Sequence, residues 1–274
     1  LVWLASVQNA DGGWGDTDIS KSNVASTLLC VAAFSFFNDP KFKDVLKKGK
    51  NRWIQFGGYA ALRDHYGVDR TYIDSIQAVC GATGLLPWSN VGQLPIEAIL
   101  LPESLMRRLN IPIVSFALAM LISVGLLQHR NNPSKNIVAR VLRNLAAKKG
   151  LKLLNNLQPA HGGFLESSVC TSLVLISLQF LGEEGAIDIE KSLNFVAQGQ
   201  RSNGAWPIVT DISVWCTCLA LSSLIESGFK PDSKELKPSF DWLASQYKNC
   251  GWTWTHQGGG IPDADDTSTT LSLL

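Results

Sequence analysis

The chain has 274 residues, of which 46% are hydrophobic and 17% are charged, and its formal net charge is +1. Ordinary soluble domains carry about 25% charged residues, so this chain can bury a large core and still have apolar residues left for its surface. The sequence contains no basic block and no acidic tail, which argues against nucleic acid as a partner.

Apolar residues recur at helical spacing along most of the chain, and no stretch keeps the two-residue alternation that is typical of a strand. The sequence therefore predicts an all-α fold. Gly and Pro separate the apolar segments, as in Asn38-Asp39-Pro40, and these residues favour turns between helices. The predicted helices lie at 23–36, 41–55, 70–84, 111–128, 135–157, 167–181, 188–199, 212–227 and 234–247.

The segment 111–127 contains no charged residue, and its length is close to the lower limit for a membrane-spanning helix. Pro112 fits the first turn of a helix, and Ser115, Ser123 and Gly125 favour close helix packing. We therefore predict a buried inner helix here, with a membrane span as the alternative.

Six cysteines are spread through apolar segments without the CxxC spacing of common metal sites. We expect reduced and buried thiols, as in an intracellular protein. A zinc site formed by Cys216, Cys218 and His256 is the alternative, but this spacing matches no familiar zinc pattern. The sequence therefore predicts no metal. The cysteines are Cys30, Cys80, Cys170, Cys216, Cys218 and Cys250.

A short pattern occurs four times and joins an apolar pair, a glutamine, a glycine-containing turn and an aromatic ring. The last three rings are 42 and 46 residues apart, a period typical of stacked helix pairs. The glutamine amide can bond the open backbone groups at the end of a neighbouring helix. We therefore predict a structural brace, and the alternative is that these rings bind ligand directly. The glutamines and rings are Gln8 with Trp14, Gln158 with Phe164, Gln200 with Trp206, and Trp252 in a weaker fourth copy.

An acidic run, Asp263-Ala264-Asp265-Asp266, follows the fourth copy and a glycine-rich loop. Carboxylates are favoured in the first turn of any solvated helix, and this is the plain interpretation of the run. Carboxyl groups this close cannot all ionise, so one of them keeps its proton at neutral pH. A proton held in this way can be donated to a substrate. The run therefore also indicates a candidate general acid.

The repeats and the acidic run together resemble the QW motifs and the DxDD motif of squalene–hopene cyclases and the wider class II terpene cyclase superfamily. Two further segments, at 86–102 and at 214–220, extend the resemblance over nearly the whole chain. Two departures indicate a divergent, bacterial-type branch. Leu165-Glu166-Ser167 stands where many members have Gln-Pro-Pro, and Cys216 stands where they have Asp.

The resemblance implies an α/α toroid, which is a barrel of stacked helix pairs. It places a first domain at 1–190 and the start of a second, DxDD-bearing domain at 191–274. Both ends of the chain lie inside apolar patterns, so we expect each barrel to be incomplete. Later repeats and other cavity residues would then lie outside this chain, and we expect the chain to be inactive on its own.

The resemblance assigns proton donation to Asp265, with Asp263 and Asp266 holding and tuning it. The implied reaction is the cation–olefin cyclisation of a squalene-like polyprene in triterpenoid or hopanoid biosynthesis, without a cofactor. DxDD favours a plain alkene over an epoxide. Aromatic faces stabilise a cation by about 0.5–2 kcal/mol each, and the resemblance gives this role to Trp254 and Trp215. Their alternative role is packing, in the repeat and in the core.

The implied partners are a hydrophobic polyprene and the cytoplasmic face of a bacterial membrane, to which such cyclases attach monotopically. A homodimer is also possible from the sequence. One alternative is a class II diterpene cyclase, which would act on a prenyl diphosphate and need a basic patch. The segment from Lys41 to Lys50 is rich in lysine, but we expect these lysines to form a solvated helix face. The other alternative is a non-catalytic relative with an α/α barrel.

Overall fold

The computed structural model describes residues 1–67, 70–108, 117–258 and 260–274. Over these residues the chain is all-α, as predicted, and β-pairing is limited to isolated bridges such as that between Ser167 and Val209. Loops and short 3-10 turns join the helices. The helices are α1 (Val2–Ser6), α2 (Val24–Phe37), α3 (Lys43–Gln55), α4 (Tyr59–Tyr66), α5 (Arg70–Ala82), α6 (Glu103–Arg108), α7 (Leu118–Asn131), α8 (Ile137–Leu157), α9 (Ser168–Leu181), α10 (Ile189–Gln198), α11 (Ser213–Glu226), α12 (Lys237–Ser245) and α13 (Ala264–Leu273).

Helices α2, α8, α9, α10 and α13 each begin with a side-chain cap. The oxygen of the capping residue accepts a hydrogen bond from a backbone N–H in the first helical turn, where the N–H has no partner inside the helix. These short polar side chains therefore set where the five helices start. The caps are Asn23, Asn136, Ser167, Asp188 and Asp263.

Helix α7 is the inner helix of the fold and packs against α5, α8 and α9. Most of its residues between Ala119 and His129 are buried, so neighbours surround it. The buried helix predicted at 111–128 is confirmed from Leu118 onward and continues to Asn131, while residues 109–116 lie outside the described part of the chain. No helix among the described residues is long and apolar enough to cross a membrane.

The apolar side chains of the described residues form four buried clusters. Three of them consist of residues before 190. The remaining cluster lies between α11, α12 and the loop before α13, and it fixes that loop against the two helices. The domain boundary between 190 and 191 stays a prediction. The cluster after 190 contains Val214, Cys218, Leu221, Leu236, Leu243 and Trp252.

Some helix boundaries differ from the prediction. The helix expected at 234–247 begins at Lys237 and ends at Ser245. Helix α4 was not predicted, because its eight residues provide little periodicity. Gly57 and Gly58 separate it from α3. Both glycines have positive φ values, 102° and 64°, a conformation that favours glycine and ends α3 before α4 begins.

The expectation of buried thiols is wrong for two cysteines. Cys80 and Cys218 are buried, but Cys216 and Cys250 are exposed. Cys216 and Cys218 lie two positions apart on α11, which places them about 200° apart around the helix axis. Cys218 therefore faces the core while Cys216 faces outward. Burial raises the pKa of Cys30 and of Cys80 to about 12, so these two thiols stay protonated.

Candidate active site

The repeats share a hydrogen bond that folds the aromatic ring back onto the preceding helix. In three copies, the indole N–H donates to the carbonyl of the second residue of the apolar pair. This carbonyl lies at or near the end of a helix, where it lacks an intrahelical partner. The bonds join Trp14 to Leu4 at 2.8 Å, Trp206 to Val196 at 2.6 Å and Trp252 to Leu243 at 2.7 Å.

A threonine of the following helix completes the turn in three copies. Its hydroxyl oxygen accepts the backbone N–H of the aromatic residue, so the turn is tied to the helix that comes after it. The sequence separation varies between copies, which is why the pattern did not reveal these residues. The bonds join Trp14 to Thr27, Phe164 to Thr171 and Trp252 to Thr267, each at 3.0 Å.

The glutamines have different partners in the different copies. Gln158 accepts the backbone N–H of Asp188 at 2.8 Å and donates to the Asp188 carbonyl at 2.8 Å, at the start of α10. Gln8 donates to the carbonyl of Val45 in α3 at 3.0 Å. Gln200 donates at 3.3 Å to Gly204 within its own turn. The second copy therefore makes the most complete link to a neighbouring helix.

The acidic run forms the first turn of α13 and is attached to the fourth repeat. Asp263 caps the helix, and its Oδ1 accepts the backbone N–H of Asp266 at 2.8 Å. The N–H of Asp263 donates to the Trp252 carbonyl at 3.2 Å. Gly251 has no room for a side chain, because a Cβ there would lie 2.3 Å from Thr267 Oγ1. The repeat thus fixes the position of the run.

Asp266 is the buried carboxyl of the run, with 4% of its surface exposed. Burial, followed by hydrogen bonding to Asp263 and the charges of Asp263 and Asp265, raises the pKa of Asp266 to about 7. Its Oδ1 is buried without a hydrogen-bond partner. An ionised carboxylate is costly in such a place, so Asp266 holds a proton near neutral pH.

Asp265, the predicted donor, lies on the exposed side of the same turn. Asp266 and Thr270 instead face the core, and Thr270 Oγ1 lies 3.3 Å from Cys218 Sγ on α11. Burial and the charge of Asp266 raise the pKa of Cys218. The structure therefore brings the three aspartates together but separates their environments, and the donor role of Asp265 stays a prediction.

Trp254 and Trp215 lie on backbone segments that are bonded to each other. The Trp254 carbonyl accepts the backbone N–H of Val214 at 3.0 Å and that of Trp215 at 3.3 Å. Both N–H groups belong to the first turn of α11, where they lack intrahelical partners. Both tryptophans are half-buried. Their role toward a cation stays a prediction.

Asp211 holds this junction together, and the sequence did not indicate it. Its Oδ2 accepts the hydroxyl of Ser213 at 3.1 Å and the hydroxyl of Thr255, and it lies 3.2 Å from His256 Nδ1. The structure places His256 beside Asp211 and Ser213, because the loop folds back onto the start of α11.

The turn after the second repeat contains a buried acid. Leu165 and Glu166 both have positive φ values, 60° and 54°, and non-glycine residues in this region cost about 1–3 kcal/mol each. Glu166 is 2% exposed, and His161 Nε2 lies 2.7 Å from its Oε1. The backbone N–H of Gly163 donates to His161 Nδ1 at 3.0 Å, which holds the ring with its Nε2 toward Glu166.

A cavity of about 210 Å³ lies between this turn and the glycine-rich loop before the acidic run. A cavity of this size holds only part of a long isoprenoid chain, since small-molecule sites usually have about 300–1,000 Å³. It lies two residues from the acidic run along the chain. The lining includes Leu118, Phe164, Leu165, Gly260 and Ile261.

Among the described residues, no three His, Cys, Asp or Glu side chains lie close enough to hold a metal ion. The residues of the alternative zinc site have other contacts. Cys218 contacts Thr270 and His256 contacts Asp211, while Cys216 is exposed.

No protein-family model matches the chain. Enfumafungin synthase of Hormonema carpetanum is 28% identical over 348 aligned residues, which cover 99% of this chain and 25% of that protein. A terpene cyclase–glycosyl transferase fusion protein of Humicola fuscoatra is 28% identical over 129 residues, which cover 46% of this chain and 9% of that protein. The chain is therefore similar to a terpene cyclase, and it spans about a quarter of the length of the first relative. The squalene–hopene branch and the bacterial origin stay predictions.

Proposed function

We propose that this chain carries the proton-donating part of a cyclase that folds a linear, squalene-like polyprene. The observation that carries the proposal is the buried carboxyl of Asp266, which holds a proton near neutral pH between Asp263 and Asp265. The similarity to a terpene cyclase supports terpenoid cyclisation as the reaction class. Because the chain spans a quarter of its first relative, the activity is proposed for the whole protein.

In the proposed step, Asp265 donates its proton to the terminal alkene. The O–H bond breaks, the π electrons form a new C–H bond, and a tertiary carbocation and the Asp265 carboxylate remain. Asp263 and Asp265 both raise the pKa of Asp266, so the protonation of Asp266 depends on its two neighbours. Asp266 then transfers its proton to Asp265, which restores the donor.

The carbocation needs a surface that stabilises it without reacting with it. Trp254 and Trp215 are proposed for this role, because the face of an aromatic ring attracts a cation by about 0.5–2 kcal/mol. The hydrogen bonds between the Trp254 carbonyl and the first turn of α11 hold the two residues together. Asp211 supports the same junction through Thr255 and Ser213.

The proposal includes the wider arrangement implied by the sequence. The helix pairs would complete an α/α toroid in the whole protein, with the boundary near 190. The enzyme would attach monotopically to the cytoplasmic face of a membrane, where a squalene-like substrate dissolves. Low charge and a high apolar content support this arrangement. No cofactor is required, because the acid is supplied by the aspartates.

The test is turnover by the full-length protein, incubated separately with squalene, with oxidosqualene and with a prenyl diphosphate. We expect a polycyclic triterpene from squalene. Asp265→Asn should reduce the rate at least about 100-fold, since general acid catalysis contributes roughly 10²–10⁴-fold. Asp241→Asn is the matched control. Asp241 is exposed on α12, and within the described part of the chain its one ion pair is with Lys237, at 3.1 Å. Cyclisation of the diphosphate alone, or no turnover of any substrate, would contradict the proposal.

A further inference from the structure

A second pocket, of about 360 Å³, lies between the end of α7, the first half of α8 and the end of α9. This volume is within the usual range for small-molecule sites. The α7 lining of this pocket begins at Leu126, seven residues beyond Ala119, which lines the cavity near the acidic run, so the two pockets lie roughly 10 Å apart along the helix. This pocket is therefore separate from the proposed active site. Its apolar lining consists of Leu126, Pro133, Ala147, Leu151 and Leu181.

The polar side of this pocket is cationic. Arg130 from α7 and Arg140 from α8 both line it, against one carboxylate, Glu183. No ion pair of either arginine is found among the described residues, whereas Arg143 on the same helix is bonded to Glu97. The sequence has no Asp or Glu between Glu103 and Glu166. The pocket therefore has an excess of positive charge that nothing nearby on α7 or α8 neutralises.

His129 adds an unused polar group to the same lining. The residue is 9% exposed, its Nε2 lies 2.8 Å from Asn144 Oδ1, and its Nδ1 is buried without a partner. Buried polar groups in native proteins are almost always bonded. His129 therefore adds to the lining a polar side chain that Asn144 holds in place.

Stabilisation of a helix dipole explains the position of Arg130 but not that of Arg140. Arg130 lies in the last turn of α7, where a positive charge stabilises the helix dipole. Arg140 lies in the first turns of α8, which begins at Ile137, and there the dipole disfavours a cation and favours an anion. An anion in the pocket would therefore contact both Arg140 and Arg130.

The outer face of α8 next to the pocket is apolar and exposed. Five large apolar residues lie on its first three turns, and exposed lysines follow further along the helix. A helix with an apolar face and surrounding cations, but no carboxylate, is suited to an anionic lipid surface. The cationic pocket and the apolar face beside it together suit a ligand that has an anionic group attached to an apolar tail. The exposed apolar residues are Ile137, Val138, Val141, Leu142 and Leu145.

We propose that this pocket binds the phosphate group of an anionic lipid. Arg130 and Arg140 contact the phosphate, and the apolar lining receives the first carbons of the lipid tail. The outer face of α8 then lies against the membrane that contains the lipid. The proposal does not depend on the cyclase reaction, because its test measures binding alone.

The test is calorimetric titration of the full-length protein with a short-chain, water-soluble phosphatidic acid and, separately, with inorganic phosphate. The double variant Arg130→Gln/Arg140→Gln should bind the lipid at least about tenfold more weakly, because each cation near an anionic lipid contributes about one order of magnitude or slightly less. Lys47→Gln/Lys50→Gln removes the same charge from exposed positions of α3 outside the pocket, and its affinity should match that of the parent.

Ala147→Leu provides a second variant that changes the pocket without changing its charge. It should also weaken lipid binding, because the larger side chain occupies the apolar lining. Equal losses in the two charge variants, or unchanged binding by Ala147→Leu, would overturn the pocket as the site. Inorganic phosphate bound as tightly as the lipid would overturn the lipid as the ligand.

Discussion

Asp266 shows how a single position on a helix turn decides the state of a carboxyl group. Asp263, Asp265 and Asp266 are close in sequence, yet Asp266 faces α11 while Asp265 faces outward. Loss of hydration at Asp266 disfavours its ionised form, and two neighbouring negative charges act in the same direction. The result is a buried carboxyl group that holds a proton beside an exposed aspartate, which is the arrangement that the proposed chemistry needs.

The raised pKa of Asp266 predicts a pH-dependent stability. Its folded value of about 7 lies above its ordinary value of 3.8, so the folded state binds more protons than the unfolded state between about pH 4 and 7. The stabilisation is therefore complete below pH 4 and is lost as the pH rises through 7. Asp266→Asn should remove this loss and gain roughly 3–4 kcal/mol on the parent between pH 4 and pH 8.

The measurement is urea unfolding of the parent and of Asp266→Asn at several pH values. Carboxyl groups outside the acidic run contribute equally to both proteins, so the difference between the two proteins isolates the run. A difference in the free energy of unfolding that stays constant from pH 4 to pH 8 would show that Asp266 ionises normally in the fold. Asp241→Asn, at an exposed position, should give such a constant difference.

The interaction between the carboxyl groups of the acidic run could be predicted from their spacing, but which of them is buried could not. Spacing indicates that the carboxyl groups interact. Which one is buried depends on the rotation of α13 against α11, and that rotation is set by contacts such as Cys218 with Thr270, 52 positions apart in the chain. Asp211 was missed for the same reason, since its contact with Thr255 joins residues 44 positions apart.

At the scale of helices and turns, the repeat links α8 to α10 through Gln158. Gln158→Leu should destabilise the fold by about 1–2 kcal/mol, because it removes two hydrogen bonds to the backbone of Asp188 and one to the hydroxyl of Ser192. Gln200→Leu is the matched control, since Gln200 bonds only Gly204 in its own turn among the described residues, and it should cost less than about 1 kcal/mol. Chemical unfolding measures both. Equal losses would mean that the position in the repeat matters more than the partner.

The turn of the same repeat predicts a steric effect. A Cβ at Gly163 would lie 2.3 Å from the ring of Phe195, whereas nothing lies within 4 Å of one at Gly185. Gly163→Ala should therefore destabilise the protein by about 1–3 kcal/mol through overpacking. Gly185→Ala should leave the stability unchanged or slightly raised. Thermal unfolding distinguishes them, and an unchanged melting temperature for Gly163→Ala would be inconsistent with the packing described.

The helices themselves were largely predictable, because apolar spacing follows the face that each helix buries. The predicted helix at 212–227 is confirmed as Ser213–Glu226, and the helix at 167–181 as Ser168–Leu181. The short helix Tyr59–Tyr66 was missed, since eight residues provide little periodicity. The threonines that complete the repeats were missed because they lie 13, 7 and 15 residues after their partners.

At the scale of the whole molecule, the first and third repeats meet although they are far apart in the chain. A Cβ at Gly204 would lie 3.4 Å from Cβ and Cγ of Trp3, so α1 packs against the turn after α10. A closed ring of helix pairs would bring early and late repeats together in this way. The toroid stays a prediction, since one contact of this kind is compatible with other arrangements of stacked helices.

The chemistry proposed for the whole protein leaves an isotopic signature. A cyclase that starts by protonating an alkene takes the new hydrogen from its own acid, and that acid exchanges with solvent. An enzyme that opens an epoxide instead forms an O–H bond, whose hydrogen exchanges away. A carbon-bound deuterium from heavy water therefore distinguishes the two reactions, and it does so whichever polycyclic product is formed.

The most direct measurement is mass spectrometry of the product that the full-length protein forms from squalene in deuterium oxide. Proton donation by the acidic run predicts a cyclised product with a single stably bound deuterium on the carbon that is first protonated. It also predicts that Asp265→Asn abolishes this product while Asp241→Asn does not. A cyclised product without carbon-bound deuterium, or full activity of Asp265→Asn, would contradict proton donation by the acidic run.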